Sequence, residues 1–108
     1  MATAKELMDK AKEQIALKKD QASSIGAIYK FVLDGDGGGT FIMNLKDNPG
    51  VTDGDGTAQC TIKMAAKDYV DMVEGRANGQ QLFFTGKLKI EGDMGLAMKL
   101  QKLTEMIK

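Results

Sequence analysis

An α+β fold is predicted for this chain of 108 residues, and three patterns predict it. Apolar side chains recur at helical spacing near both ends of the sequence. Through the middle they alternate with polar ones, and clusters of glycine and aspartate interrupt the alternation. The helical stretches are segregated from the run of strands, which favours helices packed on one face of a largely antiparallel sheet.

The first element reads as an amphipathic helix over residues 3–20. Ala4, Leu7, Met8, Ala11 and Ile15 share one face, with Lys5, Asp9, Lys12, Glu13 and Lys19 largely off it. Thr3, followed three residues later by Glu6, has the pattern of a capping box. From Ala27 the period becomes two. Tyr29, Phe31 and Leu33 alternate with Ile28, Lys30 and Val32, and Phe41, Met43 and Leu45 repeat the pattern beyond the turn Asp34–Gly39. Asp47–Gly50 and Asp53–Gly56 are two further turns. Ala58, Cys60, Ile62 and Met64 then form a one-sided strand, so the sheet has one covered and one wet face.

Residues 65–75 return to helical spacing through Ala66, Tyr69, Val70 and Val73, with Gly75 placed to stop the helix. Asn78 and Gln81 resemble a capping box for a short helix carrying Leu82, Phe83 and Phe84. Leu88 and Ile90 mark a last strand, and Asp93 is the expected N-cap of a terminal helix over 94–107. Leu96, Leu100, Leu103 and Ile107 make its apolar stripe, widened by Met94, Met98 and Met106, while Lys99, Lys102, Glu105 and Lys108 make its polar face. The residues alone therefore give a helix, three or four antiparallel strands, two helices, a strand and a helix, within one domain.

Composition narrows the function. Fifteen basic side chains balance fifteen acidic ones, which removes the electrostatic footprint of a nucleic-acid binder. Histidine is absent, so the usual general base and the commonest metal ligand are missing, and no metal site is expected. Cys60 is the sole cysteine, which excludes an internal disulfide and fits a reducing compartment. No apolar run approaches the ~20 residues of a membrane span, and the first six residues lack a signal-peptide core, so a soluble intracellular protein is expected.

The acidic turns do not make calcium loops. Counting from Asp34, the twelfth position is Leu45; counting from Asp53, it is Met64. Neither is the bidentate Glu such a loop requires. Gly35–Thr40 lacks the Lys-Ser/Thr of a phosphate loop and opens into a strand. Cys60, in an inward strand register, reads as a packing or cavity-lining residue rather than a nucleophile. Gly95 admits two readings, close backbone packing against the sheet or a hinge that lets the terminal helix lift.

What remains is an excess of apolar surface. The inward candidates are Phe31, Met43, Cys60, Ile62, Met64, Leu88 and Ile90 from the sheet. From the helices come Met72, Val73, Phe83, Phe84, Met94, Met98, Leu100 and Leu103. Eight methionines and no tryptophan make this surface adaptable, since Met fills irregular apolar space. Periodicity leaves open whether these side chains close into a core or leave a pocket.

Gly86-Lys-Leu-Lys-Ile-Glu-Gly-Asp-Met-Gly-Leu-Ala-Met-Lys-Leu-Gln101 resembles the C-terminal signature of sterol carrier protein-2 domains. Tyr29-Lys30-Phe31, Pro49-Gly50-Val51, Gly54-Asp55-Gly56, Cys60-Thr61-Ile62, Asp68-Tyr69 and Phe83-Phe84 extend the likeness in order over roughly residues 28–103. The resemblance implies a five-stranded, mainly antiparallel sheet with helices on one face and an apolar tunnel between the layers. It also implies a monomeric, non-enzymatic carrier of fatty acids, fatty acyl-CoAs and sterols, without cofactor, that moves them between membranes or to enzymes. By similarity, Phe83-Phe84 and the helix over 94–107 line or close the tunnel as a lid. An N-terminal helix over 1–25 would touch membranes through Lys5, Lys10, Lys12, Lys18 and Lys19. The ending Glu105-Met106-Ile107-Lys108 differs from the Ser-Lys-Leu type of peroxisomal signal, so a cytosolic or a peroxisomal location is expected. The alternative is an interaction or targeting module of a larger peroxisomal-type enzyme, with a closed core.

Overall fold

The computed structural model describes residues 3–107. Met1, Ala2 and Lys108 lie outside the described residues, and with them the place of Lys108 on the polar face of the last helix.

The chain opens with α1 (Ala4–Leu17), capped as its sequence requires: the Glu6 amide donates to the Thr3 hydroxyl oxygen at 3.2 Å. The Glu6 carboxylate meets the Thr3 hydroxyl at 3.3 Å. All five expected apolar positions of α1 are buried. The helix expected over 3–20 is nevertheless two helices. It stops at Lys18, whose backbone (φ −124°, ψ 43°) leaves the helical region, and α2 (Lys19–Ile25) follows. The Lys18 ammonium donates to the Met106 carbonyl (3.2 Å), and α2 buries Ala22 and Ile25. Gly26 ends it in the left-handed region (φ 67°) and donates its amide to Leu45.

Five strands follow: β1 (Ala27–Asp34), β2 (Gly39–Leu45), β3 (Gly50–Asp53), β4 (Cys60–Ala65) and β5 (Lys89–Gly92). Their order across the sheet is β3-β2-β1-β4-β5. The β1–β2 hairpin pairs Phe31 with Phe41 and Tyr29 with Met43, as the two alternations demand. In one pair the sequence-derived expectation fails. The segment after β3 crosses to the other side of β1, so β4 runs parallel to it, with Tyr29 beside Cys60 and Phe31 beside Ile62. Side-chain alternation carries no information about strand direction. The remaining three pairs are antiparallel, so the sheet is mostly antiparallel and the α+β class stands. Ala58 falls outside β4; its neighbour Gln59 instead exchanges two 3.0 Å bonds with Ile28, one through its amide and one through its side-chain oxygen.

α3 (Ala66–Val73), α4 (Gly79–Phe84), α5 (Met94–Ala97) and α6 (Leu100–Ile107) complete the covering layer. The continuous helix expected over 94–107 is broken at Met98 and Lys99. A new helical bond from the Leu103 amide to the Lys99 carbonyl (3.0 Å) starts α6, and the Lys99 ammonium reaches the Ile25 carbonyl at 3.5 Å. The change of direction lets α6 bury Leu100, Leu103, Met106 and Ile107 against α1, α2 and α3, while Met94 and Met98 stay exposed.

Tyr29, Phe31, Tyr69, Met8, Ile15 and Leu103 are fully buried at the centre. Each such side chain contributes roughly 1.5–3 kcal/mol of apolar burial. Phe31 and Tyr69 meet edge to face at 5.7 Å between ring centres, and the Tyr69 hydroxyl rests against the Met8 sulfur (3.5 Å). The outer face of the sheet is wet, carrying the ion pairs Lys30–Asp55 and Lys63–Glu91. No helix among the described residues is long and apolar enough to cross a membrane.

Candidate functional site

The covering layer is incomplete at the β5 edge. β5 has only four residues, and α4, α5 and α6 leave a space beside it although α5 touches both β5 and β4. Five local features set this geometry. Asn78 caps α4 by accepting from the Gln80 amide at 2.8 Å, not from Gln81. Gly79 then permits close approach, since a Cβ there would lie 3.2 Å from Leu100 and 3.4 Å from the Met72 sulfur.

At the other side, Gly92 makes the turn out of β5 with φ 100°, where a Cβ would fall 2.5 Å from the Gln59 carbonyl oxygen. The Asp93 carboxylate next caps α5 through the amides of Gly95 (2.8 Å) and Leu96 (3.3 Å). Finally the buried Tyr29 hydroxyl donates to the Leu96 carbonyl at 2.7 Å, tying α5 to the central strand. Gly95 neither packs on the sheet nor marks the break: a Cβ there would meet only the Asp93 carboxylate, and the helix bends three residues later.

Between these elements lies a cavity of about 400 Å³, open to solvent. That volume lies within the ~300–1,000 Å³ of small-molecule sites. Eight of the residues nominated from sequence line it. Ile90 of β5 and Leu88, which precedes that strand instead of lying in it as the alternation predicted, form its floor, and Met72 and Leu100 form its inner wall. Phe83, Phe84, Met94 and Met98 form its mouth, all exposed to some degree. The Phe83 and Phe84 rings lie 5.9 Å apart.

The other seven nominated residues do not reach it. Phe31, Met43, Cys60, Ile62, Met64, Val73 and Leu103 are buried in the closed core beneath β1, β2 and β4. Both readings that periodicity left open are therefore realised, in different halves of the molecule. The core is closed under the sheet centre and opens at the β5 edge.

Polar lining residues were not foreseen. Asn78, Gln80, Gln101, Thr104 and Glu105 border the cavity, with Ala77 and Ala97 as small wall residues. The signal was present: Gln101, Thr104 and Glu105 recur at helical spacing beside Leu100, so they share its face. The Thr104 hydroxyl donates a hydrogen bond to the Leu100 carbonyl (2.8 Å).

The buried phenol and thiol on the covered face of the sheet are kept neutral. Burial, and then the nearby Cys60 and Asp93, raise the Tyr29 phenol well above its ordinary range. Burial, and then Asp93, raise the Cys60 thiol, so it stays protonated and unreactive. No cluster of three metal-ligating side chains occurs among the described residues. The arrangement offers an apolar receptacle with an amide-bearing rim.

The sequence model described as the SCP-2 sterol transfer family matches residues 5–105. Sterol carrier protein 2 of Rattus norvegicus is 43% identical over 104 residues, covering 92% of this chain and 18% of that protein. Hydroxysteroid dehydrogenase-like protein 2 of Bos taurus is 37% identical over 91 residues, covering 82% of this chain and 22% of that protein. The chain thus spans about a fifth of the length of these relatives. Among solved structures, the apo form of sterol carrier protein 2 from Yarrowia lipolytica superposes with a TM-score of 0.83 at 24% identity, over 94% of this chain and 89% of that one. Sterol carrier protein-2 of Aedes aegypti in complex with palmitate has a TM-score of 0.72 at 19% identity, with full coverage of both chains. At these identities the structures establish the fold alone.

Proposed function

The chain belongs to the SCP-2 sterol transfer family, and on that premise we propose that it is a non-enzymatic intracellular lipid carrier, cytosolic or peroxisomal and monomeric. It takes fatty acids, fatty acyl-CoAs and sterols into the cavity at the β5 edge and transfers them between membranes or to lipid-metabolising enzymes. The observation that carries this reading is the open apolar cavity of about 400 Å³ in a chain of this family. An Aedes aegypti relative of the same fold is described in complex with palmitate, a ligand of the proposed class.

The physical chemistry is simple. Each tail methylene removed from water contributes ~0.8 kcal/mol, so affinity rises with chain length and discriminates weakly between tails. The Met72, Met94 and Met98 side chains adapt to different shapes. Asn78, Gln80 and Gln101 hydrogen-bond a headgroup at the rim. The Glu105 carboxylate borders the cavity and disfavours a second carboxylate beside it. The short helix α5, held by its Asp93 cap and the Tyr29 bond, opens for exchange. Of the fifteen residues nominated from sequence, the eight on the cavity wall are the binding residues, and the seven in the closed core act through packing.

The test is transfer of a fluorescent fatty acid from donor to acceptor vesicles, together with its titration into delipidated protein. Saturable binding and a transfer rate that rises with protein concentration support the carrier. A folded protein that does neither refutes it.

A second reading is supported by the likeness to hydroxysteroid dehydrogenase-like protein 2, of which the chain matches 22%. In that reading the same cavity serves as a lipid-handling module of a longer enzyme. Interaction with isolated dehydrogenase domains distinguishes it.

A further inference from the structure

The methionines divide sharply between the interior and the cavity mouth. Met1 lies outside the described residues. Of the others, Met8, Met43, Met64, Met72 and Met106 are buried, none more than 6% exposed. Met94 is 50% and Met98 86% exposed. Met94 opens α5 and Met98 closes it, and both line the mouth of the cavity. The exposed thioethers therefore coincide with the site instead of being scattered over the surface.

Solvent access decides thioether chemistry, because an exposed sulfur meets a dissolved oxidant and a buried one is shielded by its neighbours. The thiol that would compete for the oxidant is out of reach. Cys60 is fully buried, and its raised pKa keeps it protonated. Among the described residues, the sulfur atoms open to a peroxide are those of Met94 and Met98. The nearby carboxylates, Asp93 at the α5 cap and Glu105 on the cavity border, repel anions. They place no barrier before uncharged hydrogen peroxide.

We propose that Met94 and Met98 form an oxidation site at the cavity mouth, through which hydrogen peroxide sets how tightly lipid is held. The thioether sulfur attacks one peroxide oxygen, and an S–O bond forms as the O–O bond breaks. The sulfur loses two electrons and becomes a sulfoxide; the other oxygen takes up the released proton and leaves as water. Two side chains that adapt to an apolar tail become two polar ones. Each sulfoxide oxygen is hydrated in the open mouth, and a lipid tail lying against it strips that water. The oxidised protein therefore holds lipid several-fold more weakly. Its fold survives, since none of the altered atoms belongs to the closed core. Reduction of the sulfoxides restores the site. The inference rests on the lipid-carrier reading, because it concerns the hold of that same cavity on its cargo.

The test treats delipidated protein with hydrogen peroxide, maps oxygen uptake by peptide mass spectrometry, and titrates a fluorescent fatty acid before and after. The expected result is one oxygen on each of Met94 and Met98 while the five buried methionines stay unmodified. Fatty-acid affinity falls about three- to tenfold, and the far-ultraviolet circular dichroism is unchanged. Incubation with both methionine sulfoxide reductases, one for each epimer, returns the affinity to its starting value. The double variant Met94→Leu with Met98→Leu, whatever affinity it starts from, keeps that affinity through peroxide treatment, which excludes every other sulfur as the cause. Oxidation of a buried methionine ahead of these two, or an equal loss of affinity in the double variant, overturns the proposal. A native chain that binds fatty acid equally well after full conversion of both residues overturns the proposal alone. One that binds no fatty acid before oxidation refutes the carrier reading, and the proposal with it.

Discussion

The Tyr29 hydroxyl donates a 2.7 Å hydrogen bond to the main-chain carbonyl of Leu96. It joins the central strand to the short helix that roofs the cavity, across sixty-seven positions of sequence. The same carbonyl accepts from the Lys99 amide at 3.1 Å, so it keeps one partner when the phenol is removed.

Tyr29→Phe removes this tie while preserving the ring's packing. The expected loss is about 0.5–1 kcal/mol. Because the bond holds a local element, the loss is read there as faster amide exchange in α5 and about two- to fivefold faster release of bound fatty acid. Unchanged exchange in α5 would show that the bond does not hold the helix down.

Alkaline pH acts on the same residue. Burial raises both the Tyr29 and the Tyr69 phenols above the ordinary tyrosine pKa of ~10. In the unfolded chain they ionise near that value, while in the native protein they hold their protons. Their contribution to stability is therefore fully present below about pH 10 and is lost as the pH rises further. Urea midpoints should begin to fall above about pH 8.5, where the Cys60 thiol ionises in the unfolded chain, and fall more steeply above about pH 10. Tyr29→Phe should make that fall shallower. A midpoint that does not move with alkali contradicts the buried, neutral state of these phenols.

Cys60 stands between Tyr29 on one neighbouring strand and Gly92 on the other, fully buried. Its raised pKa and inaccessibility predict that a thiol reagent at about pH 8 labels it more than tenfold more slowly in native protein than in urea. Equal rates would place the thiol at an accessible position.

The closed half of the molecule was legible from periodicity. Tyr29, Phe31, Met43, Cys60 and Ile62 occupy the inward registers their alternation demands, because a buried sheet face leaves little freedom in which side chains turn inward. The parallel β1–β4 pair was not legible, since direction is set by how the chain crosses the sheet after β3 and not by side-chain period. Both helix breaks were hidden for a related reason. The stripes around Lys18 and Met98 continue on paper at helical spacing. Beyond each break the chain buries a new apolar set in the core, Ala22 and Ile25 in α2 and Leu100, Leu103, Met106 and Ile107 in α6, and that tertiary packing is not contained in the local pattern.

The site was legible in half. Phe83, Phe84, Met94 and Met98 stood out as surplus apolar residues, and they line the mouth because the sheet ends beside them. The other nominated residues, such as Phe31 and Leu103, look identical in a pattern of apolar positions. Whether such a residue faces a neighbour or an empty space depends on the layer above it.

The most direct test of the central claim is native mass spectrometry of delipidated protein titrated with palmitate and palmitoyl-CoA, alongside Ala77→Trp. Ala77 lines the cavity and is only partly buried, so a large side chain there fills the space without entering the closed core. The expected result is a saturable one-to-one complex with the native chain and at least a tenfold weaker one with the folded Ala77→Trp protein. A folded native chain that stays empty, or an Ala77→Trp protein that binds equally well, would contradict a lipid site in this cavity.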